Sequence, residues 1–301
     1  MLKREQDALI LAHNYQIGEV QDIADFSGDS LELARKAEAN DAAVIVFCGV
    51  HFMAETAALL SSEKVVLLPD PNAGCPMADM VTPDIVADLR AKHPNAVVVC
   101  YVNSSAEVKA QSDVCCTSAN APEVVARIPE DRPVIFVPDM YLAGHVERTL
   151  GRRLITHPGY CPTHAQIMPK HIEAVRKQYP GAPVMVHPEC LAETALAADE
   201  VLSTGGMCRF AAETGADTVI VGTEIGLIHR LQKENPNKRF VPLLEQAVCP
   251  TMKLINLEKI LESLRRLTPR VQVEARVAAR AKVTIVRMLR GWTPGSEVDN
   301  G

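Results

Sequence analysis

Three cysteines, each followed directly by proline, stand at nearly equal intervals along the chain. The Cys-Pro steps begin at Cys75, Cys161 and Cys249, so the intervals are 86 and 88 residues. A single free cysteine is most often a small buried core residue. Packing alone does not explain three such cysteines at equivalent places, and the pattern predicts three thiols that meet at one site.

Three thiolates restrict the kind of metal that such a site would hold. Soft sulfur ligands select zinc, copper(I) or an iron–sulfur cluster. A structural zinc site is closed by four ligands, usually from local C-x-x-C pairs, and this sequence contains no C-x-x-C. A 4Fe-4S cluster ordinarily takes four thiolates, so three would leave one iron open to act as a Lewis acid. The spacing favours an open cluster over zinc.

Polar side chains follow the first apolar run of each copy. The runs at 9–13, 97–101 and 184–187 end in three matched pairs: His13 and Tyr15, Tyr101 and Asn103, and His187 and Glu189. Runs that are apolar on both faces are typical of buried parallel strands, and ligands bind beyond the carboxyl ends of such strands. We therefore expect these acids, bases and amide donors to face one cavity.

Three hydroxyls recur with the same spacing, each after a second short strand. They belong to Ser30, Ser118 and Thr204, and a helical segment follows each one. A hydroxyl at a helix start is usually a simple N-cap. Three of them around one cavity would instead combine orphan amides and helix dipoles into three anion sites, which predicts a small polyanionic substrate.

The elements that must position these residues repeat three times. Each copy has four strand–helix units and closes with an amphipathic helix that ends at a proline. Such units predict an α/β fold of three pseudo-threefold-related αβα domains, each with a small four-stranded parallel sheet, around a central cavity. The predicted domains are 1–94, 95–180 and 181–269. Residues 270–301 are predicted to form a C-terminal helix at 273–291 that packs on a neighbouring domain, and a frayed tail at 292–301.

Composition excludes several classes of partner. The 301 residues carry a net charge of −6 and only 4% aromatics, which argues against nucleic acid. We find no signal peptide and no apolar run of the roughly 18 residues that a membrane span needs, so a cytoplasmic protein is expected. Nine cysteines without an export signal indicate metal or catalytic use rather than disulfides. No dinucleotide-binding or P-loop motif is present.

Short motifs along nearly the whole chain resemble those of one family, quinolinate synthase, the A protein of bacterial NAD biosynthesis. They are AHNYQ at 12–16, SGDS at 27–30, CGVHFMAET at 48–56, CPMA at 75–78, YVNS at 101–104, TSAN at 117–120, GYCPTH at 159–164, HPE at 187–189, STGGM at 203–207, GTEIG at 222–226 and CPTM at 249–252. The resemblance implies an enzyme that condenses iminoaspartate with dihydroxyacetone phosphate and releases quinolinate, phosphate and water.

The resemblance also implies roles for individual residues. Cys75, Cys161 and Cys249 would hold a 4Fe-4S cluster with one open iron. The substrate pocket would be formed by residues at the strand ends and the hydroxyls, namely His13, Ser30, Tyr101, Val102, Asn103, Ser118, His187, Pro188, Glu189 and Thr204. Glu189, Tyr15, His187 and Tyr101 would carry the proton transfers. Transient contact with the enzyme that supplies iminoaspartate is expected.

A non-enzymatic protein on the same repeat is the competing interpretation. It would be an iron–sulfur sensor or a zinc-stabilised binding protein. Zinc without sulfide would exclude the cluster, so iron and sulfide analysis distinguishes the two.

Overall fold

The first sheet is built from runs of apolar residues that are buried on both faces. The structure is a computed structural model, and it describes residues 1–295. The strands are β1 (Ala8–His13), β2 (Phe26–Gly28), β3 (Val44–Cys48) and β4 (Val65–Leu67). They pair in parallel in the order β2-β1-β3-β4. The helices around this sheet are α1 (Leu2–Glu5), α2 (Gly18–Ile23), α3 (Ser30–Glu38), α4 (His51–Leu60) and α5 (Pro83–Lys92).

The second sheet repeats this topology. Its strands are β5 (Val97–Tyr101), β6 (Val114–Cys116), β7 (Val134–Val137) and β8 (Ile155–Thr156), in the order β6-β5-β7-β8. All three pairings are parallel. The helices are α6 (Ala106–Ala110), α7 (Ala121–Ala126), α8 (Met140–Leu150) and α9 (Pro169–Gln178).

The third sheet has the same order again. Its strands are β9 (Val184–Val186), β10 (Glu200–Val201), β11 (Thr218–Gly222) and β12 (Arg239–Pro242), paired in parallel as β10-β9-β11-β12. The helices are α10 (Ala192–Ala197), α11 (Thr204–Glu213), α12 (Leu227–Glu234) and α13 (Leu257–Arg266). The predicted fold class, α/β with three four-stranded parallel sheets flanked by helices, is confirmed.

The three Cys-Pro steps adopt the same local structure. Each cysteine is followed three residues later by a single 3₁₀ turn, at Ala78–Met80, His164–Gln166 and Met252–Leu254. In each loop the cysteine carbonyl accepts a hydrogen bond from the amide four residues on. The equal spacing in the sequence therefore reflects three equivalent loops.

The C-terminal segment forms α14 (Ala275–Arg290), close to its predicted bounds. Its apolar side chains Ala281, Ile285 and Met288 are buried, and it packs on α6 and β6 and also on α4. Residues 296–301 of the predicted tail lie outside the described residues.

The domain boundaries stay a prediction. Within residues 1–295, the structure contains no helix with the length and apolar character to cross a bilayer.

Candidate active site and metal centre

One cavity collects residues from all three sheets. It lies where β1, β5 and β9 end and where the Cys-Pro loops follow β4, β8 and β12. Twelve of the predicted residues line it: His13, Tyr15, Ser30, Cys75, Tyr101, Asn103, Ser118, Cys161, His187, Glu189, Thr204 and Cys249. β1, β5 and β9 are equivalent strands, and the carboxyl end of each faces the cavity. Residues about 87 positions apart in the chain therefore meet here.

Two predicted residues lie outside this lining. Val102 is 2% exposed and borders a separate small cavity beside Phe47 and Phe52. Pro188 occupies the corresponding position after β9, between His187 and Glu189. A valine or proline side chain offers no polar atom, so any contribution to binding would come from the main chain, and their role stays a prediction.

The three cavity thiols are suited to a soft metal group. Cys75, Cys161 and Cys249 are half-buried and line the cavity, whereas the other six cysteines are buried and do not line it. Burial raises the pKa of Cys75 to about 12 and that of Cys161 well above its usual range, and the charges of Glu189 and of the neighbouring thiols add to both shifts. Sulfur ligands bind as thiolates, so binding would release protons and gather three equivalent soft donors. This donor set fits an iron–sulfur cluster.

A second group of ligating atoms overlaps the first. One ligating atom from each of Cys161, His164 and Glu189 lies within 4.8 Å of the others. However, the carboxylate and the imidazole already bond to each other, with His164 Nδ1 2.8 Å from Glu189 Oε2. Only the cysteine belongs to the threefold set, so the three thiols remain the better candidate for a resident metal group.

Glu189 is the centre of the polar network in the cavity. Its carboxylate is 3% exposed and accepts hydrogen bonds from Tyr101 Oη at 2.5 Å and from Asn103 Nδ2 at 3.4 Å. Burial alone would raise the pKa of Glu189, but the neighbouring His164 and the hydrogen bonds from His164 and Tyr101 lower it below its ordinary value. Glu189 is therefore an ionised carboxylate that can accept a proton.

His164 connects Glu189 to Tyr15 by a chain of hydrogen bonds. A carboxylate can only accept, so Nδ1 of His164 carries a proton toward Glu189. In the neutral form of the ring, Nε2 then accepts from Thr223 Oγ1 at 2.9 Å, and the Thr223 oxygen accepts from Tyr15 Oη at 2.6 Å. In this form the order of donors runs from Tyr15 through Thr223 and His164 to Glu189. Burial, followed by the charge of Glu189, raises the pKa of Tyr15 well above its usual range, so the phenol keeps its proton.

His13 and His187 are neutral, and each exposes a defined donor. Burial lowers the pKa of both to about 3, although Glu189 opposes the shift. Nδ1 of His13 accepts from the Tyr15 amide at 3.2 Å, and Nδ1 of His187 accepts from the Glu189 amide at 3.3 Å. The ring proton therefore lies on Nε2 in both residues. His187 Nε2 donates it to Ser118 Oγ at 3.2 Å.

The hydroxyls lie where helices begin, with one difference from the expected capping. Ser30 and Thr204 are the first residues of α3 and α11, but the side chains that cap these helices belong to Asp29 and Ser203. Ser118 precedes Ala121, the first residue of α7, by three positions. The hydroxyls of Ser30 and Thr204 therefore do not cap their helices, because the preceding residue caps α3 and α11.

A buried ion pair supports the loop that contains Cys249. Glu224 is fully buried; its Oε1 accepts from the Cys249 amide at 3.1 Å and lies 2.8 Å from Lys253 Nζ. Lys253 Nζ also donates to the carbonyl of Tyr15. Gly226 is required beside this pair, since an added Cβ would lie 2.8 Å from Lys253 Nζ and from the Glu224 carboxylate. The pair holds Cys249 and Tyr15 in a fixed relation.

Sequence reasoning missed four residues of this site: His164 as a bridge, Thr223, Glu224 and Lys253. Two signals were available: His164 lies three residues after Cys161, and Thr223 and Glu224 belong to the GTEIG motif at 222–226. Lys253 has no lysine at the matching positions of the other copies, which are Asp79 and Ala165.

Known proteins resemble this chain over almost its whole length. The model of the NadA family, described as quinolinate synthetase A protein, matches residues 1–290. The chain is 56% identical to the quinolinate synthase of Dehalococcoides mccartyi over 289 residues, which cover 96% of this chain and 95% of that relative. It is 53% identical to the quinolinate synthase of Thermus thermophilus over 292 residues, covering 96% and 94%. The identity to the quinolinate synthase of Methanoregula boonei is 50% over 288 residues, covering 96% and 95%.

These matches confirm the prediction that the protein is an enzyme, and the chain belongs to the NadA family of quinolinate synthetase A proteins.

Proposed function

We propose that this enzyme condenses iminoaspartate with dihydroxyacetone phosphate to form quinolinate, with release of phosphate and water. Quinolinate synthase function in NAD biosynthesis is supported by the family and by its relatives. The observation that carries the choice of substrates is the cavity, which joins three thiols, three hydroxyls and an ionised carboxylate. Two carboxylates and one phosphate are three anionic groups for the three hydroxyl positions.

The residues proposed to hold a 4Fe-4S cluster are Cys75, Cys161 and Cys249. When bound, the cluster would supply an open iron that polarises a substrate oxygen or nitrogen. Three equivalent half-buried thiols in one cavity support this assignment.

The protein's own residues would bind the substrate and move its protons. Asn103 Oδ1 is buried and has no hydrogen-bond partner among the described residues, so it is available to a substrate N–H or O–H. His13 offers its Nε2 proton to a substrate oxygen, as its tautomer requires. Ser30, Ser118 and Thr204 would bind the anionic groups.

Proton transfer in this proposal starts at Glu189, whose carboxylate accepts a proton from the substrate. Tyr101 donates to Oε1 of the carboxylate and holds it in place. The hydrogen-bond chain from Tyr15 through Thr223 and His164 ends at Oε2 of Glu189 and holds this oxygen as an acceptor. Tyr15 begins the chain as a neutral phenol donor, because burial raises its pKa. Glu189 would then give the proton that it took from the substrate to the leaving hydroxyl, so that water departs and the carboxylate is restored.

The proposal includes the setting of the enzyme. The three αβα units would correspond to domains 1–94, 95–180 and 181–269, followed by 270–301. The enzyme would work in the cytoplasm and receive iminoaspartate through transient contact with the enzyme that makes it.

An anaerobic assay for quinolinate from the two substrates tests the proposed activity. Iron and sulfide analysis of the same sample tests the cluster, and zinc without sulfide would instead support the zinc-stabilised binding protein. Lack of quinolinate formation by protein with a full complement of iron and sulfide would contradict the activity and favour the iron–sulfur sensor.

Serine substitution tests the ligands one by one. Cys75→Ser, Cys161→Ser and Cys249→Ser should each lose most of the cluster absorbance and all activity, because a hydroxyl is a poor ligand for iron compared with thiolate. Cys115→Ser is the matched control: its sulfur lies 3.2 Å from Thr284 Oγ1, a partner that a serine hydroxyl can keep. A control that loses the cluster while Cys75→Ser retains it would show that the ligands are assigned wrongly.

A further inference from the structure

Asn14 lies directly after β1, and its amide side chain joins two distant parts of the chain. The residue is fully buried. Its Nδ2 lies 2.9 Å from Thr204 Oγ1 at the start of α11, and its Oδ1 lies 2.9 Å from Arg230 Nη1 on α12. Asn14 itself is not among the residues that line the cavity, whereas Thr204 is.

The guanidinium fixes which way the amide faces. Arginine has five N–H donors and no acceptor, so the group that faces Arg230 must be the amide oxygen. The amide nitrogen then faces Thr204 and donates to its hydroxyl oxygen. Since that oxygen is used as an acceptor of this bond, the hydroxyl proton of Thr204 is left to point elsewhere, and the side chain lines the cavity.

Arg230 is itself held in place. Its side chain is only 18% exposed, with Nε 2.7 Å from Glu234 Oε1 and Nη1 3.7 Å from Glu32 Oε2. Two carboxylates therefore restrain the guanidinium while one of its N–H groups is directed at Asn14. Gly205, next to Thr204, lets the start of α11 lie against Asp29, because a Cβ there would lie 2.6 Å from Asp29 Oδ2.

The same arrangement of donors occurs at a second hydroxyl, with different residues. Nε2 of His187 carries the ring proton and donates to Ser118 Oγ, so the Ser118 proton is also directed away from its protein neighbour. Val102 and Pro188 occupy the positions that match Asn14 in the other copies, and neither has a side-chain amide. The use of Asn14 as a donor to a cavity hydroxyl is thus a feature of the first copy.

We propose that Arg230 and Asn14 are positioning residues that set the Thr204 hydroxyl as a hydrogen-bond donor to an anionic oxygen of the substrate. This inference rests on the proposed function, because it takes Thr204 as a substrate contact. An anion needs donors only, so a hydroxyl that is free to present its lone pairs would bind it less well. Two residues outside the cavity therefore determine how one residue inside it binds.

A double-mutant cycle tests this inference. Asn14→Asp keeps a partner for Arg230 but removes the donor, so the Thr204 proton would turn to the new carboxylate. We expect Asn14→Asp and Thr204→Val each to weaken quinolinate binding roughly 10- to 100-fold, the range for a hydrogen bond to a charged group. The double variant should bind no more weakly than either single variant. Isothermal titration calorimetry with quinolinate gives the dissociation constants, and steady-state kinetics should show a raised KM with a smaller change in kcat.

Three further variants separate positioning from general damage. Thr204→Ser keeps the hydroxyl and should bind nearly as the unmodified enzyme does. Arg230→Met leaves the amide free to reverse and should weaken binding less than Asn14→Asp. Asn95→Asp makes the same chemical change at an exposed asparagine and should have no effect on binding. If Asn14→Asp does not fold, as judged by its thermal midpoint, the cycle is carried out with Arg230→Met and Thr204→Val.

The outcomes also distinguish this inference from the proposed function. Losses that add in the double variant, or an Asn14→Asp enzyme that binds normally, would overturn the positioning role while unmodified enzyme still makes quinolinate. Failure of the unmodified, cluster-loaded enzyme to make quinolinate would instead overturn the proposed function.

Discussion

Replacing Glu189 with glutamine is the sharpest test of the proton chemistry. The change removes the negative charge but keeps the shape of a side chain that is 3% exposed. Tyr101 Oη and Asn103 Nδ2 both donate to Oε1, so the glutamine oxygen should take that place. The new NH₂ group would then face Nδ1 of His164.

This amide would reverse the hydrogen bonds beyond it. Nδ1 of His164 would have to accept, so its ring proton would move to Nε2 and be donated to Thr223. The Thr223 proton would turn toward Tyr15, and the donor order from Tyr15 to position 189 would be lost. Glu189→Gln therefore removes both the proton acceptor and the direction of the chain that leads to it.

The expected loss is that of one general acid–base group. Such groups contribute about 10²–10⁴ in rate, so kcat should fall by a factor in that range, equivalent to roughly 3–5 kcal/mol in the barrier. Cluster content and the KM values should change little, because the cavity keeps its shape. Glu193→Gln, the same change at an exposed residue of α10, is the matched control.

The measurement is anaerobic steady-state formation of quinolinate, with iron and sulfide determined for each variant. A Glu189→Gln enzyme that turns over normally with only a raised KM would refute the reasoning. Glu189 would then be a binding residue, and the proton shuttle would have to be sought at Tyr15 or His187.

Two further predictions concern binding and stability. Ser118→Ala should weaken binding of an anionic substrate group by about 1–3 kcal/mol and should change kcat less. The variant removes a hydrogen-bond donor to a charged group, but it removes no acid or base. A large fall in kcat at unchanged KM would contradict this expectation. The free energy of unfolding should fall as the pH drops below about 6.5. His13 and His187 have pKa values of about 3 in the folded protein, so the same histidines bind protons at a higher pH in the unfolded chain, which favours unfolding. At pH 5 the loss should be roughly 2 kcal/mol for each histidine, at 1.36 kcal/mol per pH unit, and thermal unfolding should show a smaller pH dependence in His13→Asn. A midpoint that is equal at pH 7 and pH 5 would show that these rings are not held neutral by burial.

The repeat made most of the fold predictable from the sequence. Runs without polar residues, such as that of β3, are buried on both faces, and the structure places them in the middle of parallel sheets. The equal spacing of the Cys-Pro steps then predicted three equivalent loops, and the structure shows a matching 3₁₀ turn after each. Local pattern and repeat period were sufficient here because each sheet is built from strands that are close in sequence.

The exact relation of the hydroxyls to the helices was less predictable. The Ser118 loop has its own turn, in which Asn120 Oδ1 accepts from the Thr117 amide at 2.7 Å, and this turn delays the start of α7. In α3 a capping box by Asp29 and Glu32 occupies the free amides. Side-chain competition for helix-end amides decides such details, and a repeat pattern does not show it.

Contacts between copies that involve residues without a repeat counterpart were not predictable. Tyr15 and Thr223 are 208 positions apart in sequence, and Asn14 and Arg230 are 216 apart. Neither Thr223 nor Arg230 recurs at the threefold period, so their spacing carried no signal. These residues depend on how the first and third sheets face each other, which is a property of the tertiary structure alone.

The differences between the copies, rather than their likeness, explain how a repeated scaffold can be an enzyme. Tyr15, Asn103 and Glu189 occupy the same place after β1, β5 and β9, and all three line the cavity. The backbone thus offers one position three times, and the sequence fills it with a phenol, an amide and a carboxylate. A symmetric set would place either three acids or three bases around one substrate, whereas condensation and dehydration require a donor and an acceptor at the same time. The thiols stay identical because a metal group needs equal soft ligands. The residues that must transfer protons have diverged, and this division is what the proposed reaction requires of a threefold cavity.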